Sequence, residues 1–440
     1  MATAEPMGGE ADRISALPEE IKVSVLSRLE VKYAIRTSAL ARSWRHLWTL
    51  LPCLRLGLGR YSDRLGGGSG PVTTDWIERA HHIVSSLRGP LALFELSHCF
   101  TSDQAPLIQR LFDLLLQKGG VQTLHLWVYH QLPSLPVIHP PPFHSLKELQ
   151  LYGCHVLLPA GFQGFNSLAT LELKRVQISS DHLNFLIHTS NNLTTFLGLE
   201  FLVSEDPLSI SITSPLLRHL RFEIDDSIEK VSVTSAPSLE LVEIMDCFLN
   251  RTDSSSKKMA PMALGLLISV ATVSSLNLES NILRSLSLVT LPIDFSFSRL
   301  RNLNFVFYID TMNKRMCDAF FWLLRSMPFL EELKLMYEDS DQINRVVILM
   351  EELHGKKRDG ISCLNQTLKS VNIITDYIMA AINFGKFFLL NAKVLKLMKF
   401  HCWSSVEPAT IEELQKAEVT SSDAKVEIFS SNEGVTVNVK

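Results

Sequence analysis

From about residue 90 the chain repeats one spacing: an apolar residue, two others, an apolar residue, one other, an apolar residue. It stands at Leu91/Phe94/Leu96, Val121/Leu124/Leu126, Leu146/Leu149/Leu151 and Leu168/Leu171/Leu173. It returns at Leu217/Leu220/Phe222, Leu239/Val242/Ile244, Val273/Leu276/Leu278, Leu300/Leu303/Phe305 and Leu330/Leu333/Leu335, with a weaker copy at Leu193/Phe196. Successive starts from Val121 to Leu239 differ by 25, 22, 25, 24 and 22 residues. The last two apolar positions of each copy predict a short strand. They point to one side of it, and the residue between them points to the other. A single copy would leave its apolar side in water, whereas stacked copies share one core, each buried leucine contributing roughly 1.5–3 kcal/mol. Polar insertions at 251–258 and 352–360 lengthen the later spacing and read as surface loops.

The period is that of a leucine-rich repeat. The first fifty residues differ. Pro18-Glu19-Glu20 is a helix start, and Ile21, Val25, Leu26 and Leu29 follow as one apolar stripe. A second helix is predicted from Tyr33 to Leu40 and a third from Ser43 to Leu50, where Trp44, Leu47 and Trp48 fall at i, i+3 and i+4. A domain below about 60 residues is marginal alone, so this head is expected to complete its burial on another protein. Gly66-Gly67-Gly68-Ser69-Gly70-Pro71 reads as a linker, because no Gly-Lys-Ser/Thr follows to make a phosphate loop.

The fold class that results is α/β. A small three-helix N-terminal domain precedes a leucine-rich-repeat solenoid with parallel strands on the concave face and helices or loops on the convex face. The expected boundaries are a disordered 1–11, the head at 12–55, a linker leading into the array at 56–89 and repeats at 90–350. A C-terminal repeat or cap at 361–402 follows, then a tail or strand pair at 403–440.

Hydrophobic residues make up 46% of the 440, charged residues 20%, and the net charge is −4. That balance suits a large core and disfavours general nucleic-acid binding. The run from Met262 to Val273 is too short for a membrane span, and 1–13 lacks the apolar stretch of a secretory signal. Seven scattered cysteines, none in a C-x-x-C pair, fit neither a zinc ribbon nor a disulfide framework, which points to a reducing compartment, cytoplasm or nucleus.

Catalytic chemistry finds no motif: there is no G-x-S-x-G elbow, no HExxH helix and no cysteine in a nucleophile context. His125, His130, His139, His144 and His155, with Cys154, lack compact ligand spacing and read as strand or loop residues, so no metal or cofactor is expected. Asp225-Asp226 reads as a polar turn after a strand. Of the outward strand positions, Trp127, Tyr152 and Arg221 are the candidate target-binding residues, since aromatic and arginine side chains dominate interface hot spots.

Residues 12–54 resemble an F-box. The match runs Asp12-Arg13-Ile14-Ser15-Ala16-Leu17-Pro18, then Ile21, Val25, Leu26 and Leu29, then Ala34-Ile35-Arg36-Thr37-Ser38-Ala39-Leu40 and Trp44-Arg45-His46-Leu47-Trp48. Residues 363–400, ending Asn391-Ala392-Lys393-Val394-Leu395-Lys396-Leu397-Met398, resemble the FBD-type domain that closes many plant F-box proteins with leucine-rich repeats. The resemblance implies a non-catalytic substrate receptor of a Skp–cullin–F-box ubiquitin ligase. In such a receptor the F-box docks a Skp-type adaptor, and through it the cullin, while the repeats hold a target protein. By motif, Leu17, Pro18, Ile21, Leu26 and Leu29 would contact the adaptor, with Ile35, Trp44, Leu47 and Trp48 completing or buttressing that surface. Glu30 departs from the family, which often has proline after the first helix. The other readings are a repeat scaffold whose head no longer engages the ligase, and a small-molecule receptor with a pocket lined by Trp127 or Tyr152.

Overall fold

The computed structural model describes residues 14, 16–57, 75–100, 102–129, 135–202, 206–245, 253–308, 314–338, 360–375, 378–403, 408–430 and 434–437. The expected N-terminal stretch 1–11, the glycine break and His130 lie outside these, as does most of 352–360. The chain divides into two compact units, one ending at Ile178 and the other beginning at Ser179.

The first unit opens with the head. Helix Glu19–Leu26 begins after Pro18 with two glutamates in its first turn, and helix Val31–Arg36 follows. Beyond it the backbone tightens into 3-10 turns at Thr37–Ala39, Arg42–Trp44 and Leu47–Leu50. The expected third α-helix is therefore two short turns. Trp44 closes the first of these turns and Leu47 opens the second, and both side chains enter the same core.

The strands follow. Within this unit β1 (Cys53–Gly57), β2 (Leu93–Cys99), β3 (Thr123–Tyr129), β5 (Glu148–Tyr152) and β7 (Thr170–Lys174) pair in parallel, in that order. A two-residue pair, β4 (Val137–Ile138) and β6 (His155–Val156), sits among the return segments. The register lines up Leu54, Phe94, Leu124, Leu149 and Leu171, all buried. Helix Ala105–Lys118 turns Ile108, Leu111, Phe112 and Leu115 into this core, the i, i+3, i+4, i+7 pattern of one face. The sheet thus starts earlier than residue 90. Leu51-x-x-Leu54-x-Leu56 carries the repeat spacing inside what reads as the end of the head, and helix Asp75–Ser86 occupies part of the expected linker.

In the second unit β8 (Thr195–Leu199), β10 (His219–Glu223), β12 (Leu241–Met245) and β13 (Ser275–Glu279) pair in parallel. They are continued by β14 (Asn302–Tyr308), β15 (Glu332–Glu338), β16 (Ser370–Thr375), β17 (Leu397–Cys402) and β18 (Lys425–Phe429). One inward row runs Phe196, Leu220, Val242, Leu276, Leu303, Leu333, Val371, Met398, Val426. Phe305 and Phe307 pack against Phe320 of helix Lys314–Arg325, and Phe307 also meets Phe384 of helix Ile378–Asn391.

Three features here depart from the sequence reading or resolve it. The polar insertion at 251–258 supplies the first turn of helix Asp253–Ser269 instead of a loop, because its serines and lysines lead into the apolar run that the core takes up. A small parallel pair, β9 (Leu208–Thr213) and β11 (Ile228–Ser235), replaces helix in two return segments. The C-terminal stretch is a helix, Pro408–Gln415, and then a strand pair, with β19 (Gly434–Val437) antiparallel to β18.

Candidate functional site

The head has a core of Leu26, Ala34, Trp44, Leu47 and Leu51, with Val23, Ala41, Trp48 and Leu50 partly buried against it. Lys22, itself buried, places its ammonium 5.8 Å from the centre of the Trp44 ring. What does not fit inside stays outside. Leu17 is 36% exposed, Ile21 48%, Val25 46%, Leu29 42%, Tyr33 46% and Leu40 74%. Pro18 is exposed with them and sets the start of the first helix.

The nine residues expected at an adaptor surface therefore divide. Leu17, Pro18, Ile21 and Leu29 are on the surface, and Ile35 and Trp48 are half-buried. Leu26, expected as a contact, is in the head's own core, together with Trp44 and Leu47, because the first helix turns that side to the 3-10 turns. Tyr33, Leu40 and Ile14 join the exposed apolar set. Their signal in the sequence was simply an apolar residue in a segment too short to bury it.

The second candidate surface is the side of each sheet away from the buried rows. On β3 and β5, Trp127 and Tyr152 lie in register and stack, ring centres 6.0 Å apart and planes within 18°. Tyr129 adds a third ring, 5.5 Å from Tyr152. The adjoining row is ionic. The Arg55 Nε lies 3.6 Å from a Glu95 carboxylate oxygen, the His125 Nε2 3.0 Å from Glu148 Oε1, and the His125 Nδ1 3.7 Å from Glu95. His125 is thus a strand residue between two carboxylates. Among the described residues no group of three or more His, Cys, Asp or Glu could hold a metal ion.

Arg221 belongs to the second unit, so the three candidate residues do not form one cluster in either unit. Its Nε lies 2.9 Å from the Met245 sulfur, beside a polar row in which His219 and Asn277 both reach the Glu243 carboxylate. Asp225 is buried and accepts from the Ser227 amide at 2.8 Å, while Asp226 is exposed, the arrangement of a polar turn. The Cys154 and Cys363 thiols are both pushed up to about 12 by burial, which leaves them protonated and unreactive. The first unit also holds a cavity of about 570 Å³ lined by Glu30, Lys32, Arg55, Arg79, Glu95 and His98, among others, but not by Trp127 or Tyr152.

Comparison with known proteins accounts for this combination. Residues 14–56 match the F-box domain, and residues 108–262 match the repeats described as FBD-associated F-box protein At5g56370, LRR repeats. The chain carries an F-box followed by leucine-rich repeats. An F-box/FBD/LRR-repeat protein of Arabidopsis thaliana is 28% identical over 243 residues, covering 54% of this chain and 55% of that protein. An FBD-associated F-box protein of the same plant is 23% identical over 358 residues, covering 76% and 79%. For an F-box protein of that plant the figures are 42% over 59 residues, 13% and 15%. The chain spans about half the length of the F-box/FBD/LRR-repeat relatives it matches. The F-box match takes in both the small core and the exposed stripe, and the repeat match takes in Trp127, Tyr152 and Arg221.

Proposed function

We propose that this chain is the substrate-recognition subunit of a Skp–cullin–F-box ubiquitin ligase, working in the cytoplasm, the nucleus or both. Its F-box docks a Skp-type adaptor, and the cullin through it, while its repeats hold a target protein. The observation that carries the reading is the apolar stripe of Leu17, Ile21, Val25 and Leu29, left on the surface beside a head core of five buried side chains. Several large apolar side chains exposed together in one short segment suit a protein partner, and the F-box match supplies the partner's class.

The chain would contribute no bond chemistry. Holding a target beside a charged conjugating enzyme raises the effective concentration of the target's lysine, and other subunits transfer the ubiquitin. Trp127 and Tyr152 on the first sheet, and Arg221 on the second, are candidate target contacts.

The test is co-purification of the full chain with a Skp-type adaptor, alongside a Leu17→Ala/Pro18→Ala double variant and an Ile21→Asp variant. Capture by the wild type and loss in both variants is expected, with circular dichroism unchanged. A folded wild-type chain that captures no adaptor sinks the ligase reading and leaves a repeat scaffold.

A further inference from the structure

The second sheet has a polar row whose hydrogen-bonding capacity is largely unused. Phe305 and Phe307 point to the helices, so the alternate residues of β14 point to the other face. In register across β14 to β17 that face presents Asn304, Lys334, Asn372 and Lys399. Lys399 lies 3.6 Å from Glu427 of β18. Lys334, the central cation, has no ion-pair partner among the described residues, although Glu332 stands on the same face. On either side of it, the amide oxygens of Asn304 and Asn372 are shielded from solvent without a hydrogen-bond partner among the described residues. Burial, then Lys399 and Lys334, hold His401 below the usual histidine range, which places both ammonium groups in one electrostatic neighbourhood.

The next row along the strands is apolar: Val306, Met336 and Ile374, in register and half-buried. With its oxygen shielded, each asparagine offers a partner its side-chain N–H groups, the complement of a backbone carbonyl, and an unpaired ammonium is the complement of a carboxylate. At about 4.8 Å per strand, Asn304 and Asn372 stand about 10 Å apart, which is close to three residues of extended chain.

We infer that this face, from β14 to β17, binds an extended acidic segment of a partner protein. A carboxylate lies over Lys334, backbone carbonyls accept from the side-chain N–H groups of Asn304 and Asn372, and aliphatic side chains cover Met336 and Ile374. The inference rests on the reading that the repeats hold a protein target, and it states the chemistry of that target.

The test uses an array of immobilised twelve-residue peptides in which glutamates among aliphatic residues are replaced in turn by glutamine or lysine. Full chain is applied as wild type, Lys334→Glu and Lys334→Met, with far-ultraviolet circular dichroism to confirm each fold. The wild type should retain glutamate peptides about tenfold better than their glutamine counterparts. Lys334→Met should lose that preference and Lys334→Glu should shift it toward lysine. Equal retention of glutamate and glutamine peptides, or a preference indifferent to Lys334, overturns the inference. Complete displacement by millimolar inorganic phosphate at constant ionic strength also overturns it, in favour of a small-anion site. Peptide selection without adaptor capture would sink only the ligase reading, and adaptor capture without peptide selection would sink only this one.

Discussion

In the head, five side chains form the core and at least six large apolar ones stay at the surface. In the second unit the proportions reverse: Phe305, Phe307, Phe320 and Phe384 are all buried against one another, and one outward row along β14 to β17 is amide and ammonium. Both regions draw on a chain of the same overall hydrophobicity. The difference is neighbours. Each repeat lends its apolar side to the next, so burial is completed within the chain, whereas the head, some forty residues of helix and 3-10 turn, is not a repeat and leaves part of its apolar side uncovered. The proposed partner of the head would therefore be selected by apolar shape, and that of the second sheet by hydrogen bonds and charge.

The sealing of the repeat cores gives the largest effect. With Cys154 and Cys363 held at about 12, against about 9 for an ordinary thiol, their thiolate populations near pH 8 are about a thousandfold depressed. Alkylation followed by mass spectrometry should modify the half-buried Cys53, Cys99 and Cys317 first. Labelling of Cys154 and Cys363 should rise only toward pH 12 or on unfolding. Rapid native-state labelling of either would show that the repeat cores open as readily as the head.

Stability measurements sharpen the contrast. Phe307→Ala, which removes a ring touching Phe305, Phe320, Tyr337 and Phe384, should cost about 3–5 kcal/mol in urea unfolding. Ile21→Asp, on the head's surface, should stay within about 0.5 kcal/mol of the wild type while interrupting the exposed apolar stripe. A cost above 1 kcal/mol there would mean that Ile21 is tied into the fold and is not a free contact.

Gly198 is the next step down. It occupies the third position of the weak repeat copy, and a Cβ there would come within 2.8 Å of the Phe201 ring and 3.0 Å of Phe222. Gly198→Ala should cost about 1–3 kcal/mol by overpacking. An unchanged midpoint would show that those rings can move aside and that the second core is looser than its geometry.

That glycine also shows what the sequence made legible. The repeat rows could be read because their inward positions are leucine-like at constant spacing, and the strands fall where that spacing puts them. Gly198 weakened one copy because the ring of the next repeat fills its place, so the apolar atom belongs to a different residue. The strand of Leu54 and Leu56 was hidden, since Leu51 is drawn into the head core and masks the first copy. Leu26 and Leu29 lie on one stripe and periodicity cannot separate them; the side on which Trp44 and Leu47 pack decides that one is core and the other surface. Trp127 and Tyr152 could be placed on the outward side from alternation alone. Asn304, Lys334 and Asn372 could not, because their row exists only once the register of three strands is fixed.

The smallest expected effect bears on whether that row is kept for stability or for binding. Leucine nearly matches asparagine in shape but brings no polar group. If the amide of Asn372 contributes no internal hydrogen bond, as its unpartnered oxygen indicates, Asn372→Leu removes a desolvated group without breaking a contact. Such replacements are nearly neutral or stabilising, here by up to about 1 kcal/mol. Urea unfolding should therefore show an unchanged or higher midpoint, with the acidic-peptide preference weakened in the same protein. A stability loss above about 1 kcal/mol would mean that the amides are structural, as the buried phenylalanines are, and the contrast between a finished core and an outward row held open for a partner would fail at this residue.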